Sequence, residues 1–345
     1  MTQLQFFDSA WAAGERAAER TGLHVIRYRL GDGQMELRAA GAAMVERMGR
    51  AWAHLRVEAA GAPALTVLVF DSRESGVPMP PPAWGREDFL PRNRIRGYET
   101  GRVRGLFNIG LETLHMIDLE TRRAIYWIKG GSDIPWWEQT FPFRQILHWW
   151  TGLGPWQLAH AGAVGYTRGG VLLAGKSGAG KSTTTLSCLR GTLGYAGDDY
   201  ILLGLDGETP WVYSLFGTAK VEAANLHRVP HLREWVANPE HLGEQKALVY
   251  VNEQAPERML PAAPLRAIVL PRVIGTGLTR LTEAGPRAVA EAIAPTVLMH
   301  MVGFERETMS RIAQVARQLP CYWLELGSDP ARTAPLLEEF LETWK

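Results

Sequence analysis

The feature that most constrains this chain is an octapeptide, Gly175-Lys176-Ser177-Gly178-Ala179-Gly180-Lys181-Ser182, which fits the spacing G-x-x-x-x-G-K-[ST]. An apolar run at 171–174 precedes it, and residues 182–190, rich in Thr and Leu, suit a helix. A strand, a glycine loop and a helix in that order belong to an α/β fold. Bare glycines let backbone N–H groups converge on phosphate oxygens, and the helix N-terminus adds partial positive charge. Lys181 is placed to reach the β- and γ-phosphates, and Ser182 to set its hydroxyl on Mg²⁺. The candidate nucleotide contacts are Gly175, Ser177, Gly178, Ala179, Gly180, Lys181, Ser182 and Thr183, with ATP and Mg²⁺ as the expected cofactors. A tight strand-to-helix turn with an incidental lysine would read the same way.

Asp198-Asp199 follows only 17 residues after Lys181. One short helix uses most of that distance, so the chain must turn straight back into the apolar run at 200–203. This puts the acid pair at a strand start near the loop. An acid there can hold Mg²⁺ or accept a proton from an attacking hydroxyl. A helix-to-strand turn also favours Asp. Upstream, residues 160–166 and 171–174 flank Thr167-Arg168-Gly169-Gly170 and read as a hairpin. A turn centred near Arg168 brings His160 level with about residues 175–178, facing the loop. There it could orient an acid or share proton transfer. A satisfied core histidine is the alternative.

Together, His160 with its small successors, the glycine loop with Lys181 and Ser182, and Gly197-Asp198-Asp199 resemble the catalytic core of the HPr kinase/phosphorylase family. In outline they also resemble phosphoenolpyruvate carboxykinases. The strong match covers about 158–205, and a weaker one covers 319–326 with a helix at 330–344. The resemblance implies a P-loop kinase core with a mixed sheet, closest in character to kinases that phosphorylate a Ser or Thr of a precursor peptide. It allows a homo-oligomer, as related kinases form. The chain departs from the pattern after the acid pair. Phe216-Gly217-Thr218-Ala219-Lys220-Val221-Glu222 stands where carrier-protein kinases have a Gly-rich signature, which argues against the carrier protein as acceptor. Lys220 and Glu222 read equally as site contributors or as a solvated strand pair.

At 345 residues the chain suggests two domains: an α+β domain over 1–145, a candidate for substrate recognition, and the catalytic domain over 146–345. The formal charge is 37 − 36 = +1, so no net field favours nucleic acid or an anionic membrane. Cys188 and Cys321 form no motif and suit reduced cytosolic thiols. No signal peptide is evident at the start. The stretch 145–167 lacks Asp, Glu, Lys and Arg, but its glycines, Pro155 and polar residues suit buried backbone rather than a membrane span. A cytoplasmic protein with no membrane partner is therefore expected.

In the first part, helices are expected at 7–20 and 42–55, a hairpin at 24–37, and strands at 65–70 and over 103–129. The proline-rich 75–96 reads as a loop, a linker or a substrate-facing flap. Six tryptophans between Trp127 and Trp156 read as core or interface packing, or as a grip on a peptide. Arg92, Arg94, Arg96, Arg102 and Arg104 read as a solvated face, or as an attractor for an acidic acceptor.

The expected activity is transfer of the γ-phosphoryl group of ATP to a Ser or Thr hydroxyl of a peptide, protein or small acceptor. Asp198 is the expected general base, assisted by His160. Lys181 offsets phosphoryl charge, and Ser182 and Asp199 contact Mg²⁺. The two aspartates could exchange roles, because neighbouring carboxylates perturb each other. A nucleotide-dependent binding module and a simple ATPase are the alternatives.

Overall fold

The computed structural model describes residues 1–131, 134–205, 207–275, 277–300 and 302–344, with the side chains of 294–300 excepted. The chain divides into two compact units, Met1–Gly154 with Met301–Phe304, and Pro155–His300 with Glu305–Lys345. The expected boundary at 145/146 falls inside the helix Arg144–Thr151. That helix packs on the first unit's strand Thr113–Asp118, and its Gln145 and Trp149 donate to the Val302 carbonyl at 3.0 and 2.8 Å.

The first unit is built on a nine-stranded mixed sheet. Its middle strands, Gly33–Ala40, Leu65–Asp71 and Arg123–Ile128, run parallel, and the remaining pairs are antiparallel. The helix Gln3–Thr21 opens with a Thr2/Gln5 capping box and buries Phe6, Phe7, Ala10 and Trp11. Gly14 lets it approach the sheet, since a Cβ there would stand 2.6 Å from Leu68 Cδ2.

Two expectations change here. The proline-rich segment is not an interdomain linker: it lies wholly within the first unit, where Val77, Trp84 and Ile95 enter the core. Nor do the arginines of 92–104 offer a free basic face. Arg94 pairs with Glu99, Arg96 with Asp88, and Arg102 with Asp118 and Glu120, while Arg104 lies over the Phe304 ring. Trp127, Trp149 and Trp150 are buried core, and of the expected cluster Trp137 is the exposed member.

The second unit has a mixed sheet with an unusual path. Trp156–Ala159 and Gly162–Tyr166 are halves of one extended run, as are Gly194–Gly197 and Ile201–Gly204. The two runs pair antiparallel in one register, Ala159 opposite Ile201 and Ala163 opposite Gly197. From Ile201–Gly204 pairing passes to Trp211–Tyr213, Ala262–Val273 and Gly169–Leu173, then returns to Gly162–Tyr166. The sheet therefore bends back on itself, and the bend falls at 160–161 and 198–200. Cys321–Leu326 adds in parallel to Ala262–Val273, and Thr333–Glu342 follows it as a helix. Thr218–Val221 and Ala247–Tyr250 form a separate two-stranded sheet. Among the described residues no helix is long and apolar enough to cross a membrane.

Candidate active site

Gly169–Leu173 ends one strand of the second unit, and the glycine loop leads from it into the helix Lys181–Ser187. Two loop glycines occupy the left-handed region, Gly178 at φ +80° and Gly180 at φ +103°. A Cβ on Gly180 would also stand 2.8 Å from Leu326 Cδ1, a side-chain end that would have to shift. Gly180→Ala therefore adds backbone strain at φ +103° and is expected to cost about 1–3 kcal/mol. Calorimetry should show a Tm lower by roughly 3–8 °C.

Lys181 is buried, and its ammonium donates to the carbonyls of Gly175 at 2.8 Å and Lys176 at 3.1 Å. Burial lowers its pKa, and the charges of Asp198 and Asp199 work against that. The ammonium thus lies within the field of both carboxylates.

The acids sit at the bend between Gly194–Gly197 and Ile201–Gly204. In an extended strand, neighbouring side chains point to opposite faces. Asp199 breaks that alternation with φ +60°, and the Tyr200 N–H closes the turn onto the Asp198 carbonyl at 2.7 Å. Asp is among the few residues that tolerate this conformation. The turn explains how two consecutive carboxylates serve one region.

Their environments differ. Asp198 is fully buried, and neither carboxylate oxygen makes a hydrogen bond of normal geometry. Burial first, and the Asp199 charge second, push its pKa up to about 7, with the Ser182 hydroxyl, Lys181 and Lys220 offsetting part of the rise. Asp199 is slightly exposed and fully engaged. His160 Nε2 lies 3.4 Å from its Oδ1, and Lys220 Nζ lies 3.1 Å from its Oδ2. Burial alone would raise its pKa, but the hydrogen bond from His160 and the charge of Lys220 hold it well below the usual carboxylate range.

The hairpin pairing ends with Gly162 opposite Leu173, two residues short of His160. The His160 ring engages Asp199 and packs against Tyr200, centroids 5.2 Å apart. Three contributors lay outside a clear sequence signal. Lys220 joins the site from Thr218–Val221, whereas Glu222 follows that strand and pairs with Lys246 at 2.8 Å. Gly162 is needed bare, since a Cβ there would meet Thr185 Oγ1 at 2.6 Å and Asp198 Oδ1 at 3.7 Å. Tyr200, buried against His160, carries no motif.

No family model matches the chain, and no curated protein matches it. Among solved structures the chain is similar to the Hpr(Ser) kinase/phosphatase from Coxiella burnetii. The match has 11% identity, covers 55% of this chain and 98% of that one, and has a TM-score of 0.31. A likeness that loose carries no functional argument, so any reading of activity rests on the residues themselves.

Chemically, the site offers backbone donors and an ammonium for phosphate, an ionised carboxylate held by two cationic or donor groups, and a second carboxylate with buried, unsatisfied oxygens. Among the described residues no cluster of three or more His, Cys, Asp or Glu is arranged to cage a metal. That is compatible with Mg²⁺, which is usually held by one or two carboxylates together with substrate phosphates and water.

Proposed function

We propose that the chain is an ATP- and Mg²⁺-dependent phosphotransferase that moves the γ-phosphoryl group to a Ser or Thr hydroxyl of a peptide, protein or small acceptor. The observation that carries this reading is the meeting of Lys181 on its glycine loop with two carboxylates of opposite character. The buried carboxylate of Asp198, under-satisfied and beside the Ser182 hydroxyl, fits a divalent cation. Asp198 and Ser182 would hold the ion, which when bound neutralises charge on the β- and γ-phosphate oxygens.

Asp199 then takes the acceptor. Its carboxylate is ionised at neutral pH and aimed by His160 and Lys220. It receives a hydrogen bond from the acceptor hydroxyl and takes the proton as the oxygen attacks phosphorus. The bond to the β–γ bridging oxygen breaks, and its electron pair leaves with ADP. A strongly acidic carboxyl is a weak base, so its part is chiefly to orient the acceptor hydroxyl, whose proton departs late in a loose transition state. Lys181 offsets charge on the migrating group. This is the exchanged assignment of the two aspartates.

The test is γ-³²P-labelled ATP with a panel of acceptors, including free serine and short Ser- and Thr-containing peptides, followed by mass spectrometry. Transfer to a hydroxyl is the expected result. ADP formation at the same rate with and without acceptors, and no labelled product, would leave a simple ATPase.

A further inference from the structure

The sequence read Arg92, Arg94, Arg96, Arg102 and Arg104 as a solvated face or as an attractor for an acidic acceptor, and the fold pairs Arg94, Arg96 and Arg102 with acids and lays Arg104 over a ring. A different basic surface remains in the first unit. The helix Gln3–Thr21 presents Ser9, Ala12, Arg16 and Arg20 at spacings of three, four and four, which puts them along one face. Across from them runs the non-helical segment 76–81, holding Pro78, Pro80 and Pro81. Between the two lies a groove of about 500 Å³.

Among the described residues neither arginine has a carboxylate partner, although Arg20 donates to the Gly76 carbonyl at 3.1 Å. The proline wall offers carbonyl acceptors but no N–H at three positions. A strand cannot therefore add to it by a regular ladder, and the charged heads on the helix must do the selecting. Small Ala12 keeps the floor open. Neutral or basic segments gain nothing from such a groove, and carboxylates do.

From this geometry we infer that the groove between Arg16, Arg20 and the proline wall docks an extended, Glu- or Asp-rich segment of the acceptor. The inference deepens the kinase reading and rests on it for the word acceptor. The docking itself needs no nucleotide.

The test uses the full chain and a fluorescein-labelled twelve-residue peptide with one Ser and alternating Glu, beside its Gln-for-Glu analogue. Anisotropy without ATP at about 50 mM salt should show the Glu peptide binding roughly ten-fold tighter, with the preference shrinking as salt is raised. Arg16→Glu with Arg20→Glu should abolish the preference, and so should Ala12→Phe, which fills the groove. Arg287→Glu, in the second unit, should not. In transfer assays the double variant should leave free-serine phosphorylation unchanged.

Equal binding of the two peptides, or charge reversal without effect, overturns the docking and leaves the kinase reading intact. Arginine-dependent binding with no phosphoryl transfer supports the docking while the kinase reading fails. A twelve-residue oligothymidylate that binds tighter than the Glu peptide through the same arginines overturns the inference in favour of nucleic acid.

Discussion

Asp199→Asn is expected to lower kcat for phosphoryl transfer by roughly 10³-fold while nucleotide binding persists. Asn keeps the shape but cannot take the acceptor proton, and it no longer attracts Lys220, which lies 3.1 Å from the present carboxylate. Because Lys220 and His160 are themselves mostly buried, losing the charge between them leaves both less well compensated. The variant should therefore also be less stable, by about 1–2 kcal/mol, or roughly 2–6 °C in Tm. A fluorescent ATP analogue checks binding, single-turnover assays check transfer, and calorimetry checks stability.

The neighbouring substitution has the opposite structural sign. Asp198→Asn is expected to abolish Mg²⁺-dependent transfer by a comparable factor and yet raise Tm. The carboxyl is fully buried with only the Ser182 hydroxyl beside it as a partner, and its pKa is pushed up to about 7 by burial and by Asp199. An acid whose pKa is higher in the fold than in the unfolded chain favours the fold only while protonated. Below about pH 4 both states carry the proton and the group costs nothing. As pH rises from 4 to 7 the unfolded chain ionises first, and the fold loses stability. Above about 7 the full penalty remains, on the order of 2–4 kcal/mol.

Asn removes the charge, although its amide also lacks partners. The net gain is put at about 1–3 kcal/mol, a rise of roughly 3–8 °C at neutral pH. The Tm difference between wild type and variant should grow from pH 4 to 7 and then level off. A variant no more stable than wild type at every pH would mean that the carboxylate is well solvated or paired.

The parts of this site that could be read in the sequence are those whose chemistry is local. The glycine loop, Lys181 and Ser182 announce themselves because one short segment must supply strand end, loop and helix start. The 17-residue gap to Asp198 was readable for the same reason: it leaves room for little besides one helix and a turn. In the first unit the hairpin at 24–37 followed from its Gly31-Asp32-Gly33 turn, Leu65–Asp71 from its apolar run, and the helix Gln3–Thr21 from its composition.

What stayed hidden depends on long-range placement. Which aspartate meets His160 is decided by the left-handed turn at Asp199, a backbone choice that spacing does not encode. Lys220 could not be told from Glu222, since both lie on one face of an extended run. The strand ends at Val221, which sends Glu222 to Lys246 instead. The pairing of Arg102 was hidden because Asp118 reaches it from the far end of the strand Thr113–Asp118, which lies beside Val103–Asn108. Met301–Phe304 joins the first unit through hydrogen bonds to Gln145 and Trp149 that no local pattern announces.

The most direct test of the central claim is a crystal structure with a non-hydrolysable ATP analogue and Mg²⁺. The expected result is a triphosphate in the loop from Gly175 to Ser182, with Lys181 moved from the Gly175 carbonyl onto phosphate. The ion should lie on Ser182 and Asp198, and the γ-phosphorus should face Asp199. A triphosphate bound elsewhere, or one whose γ-phosphate points away from both aspartates, would contradict it.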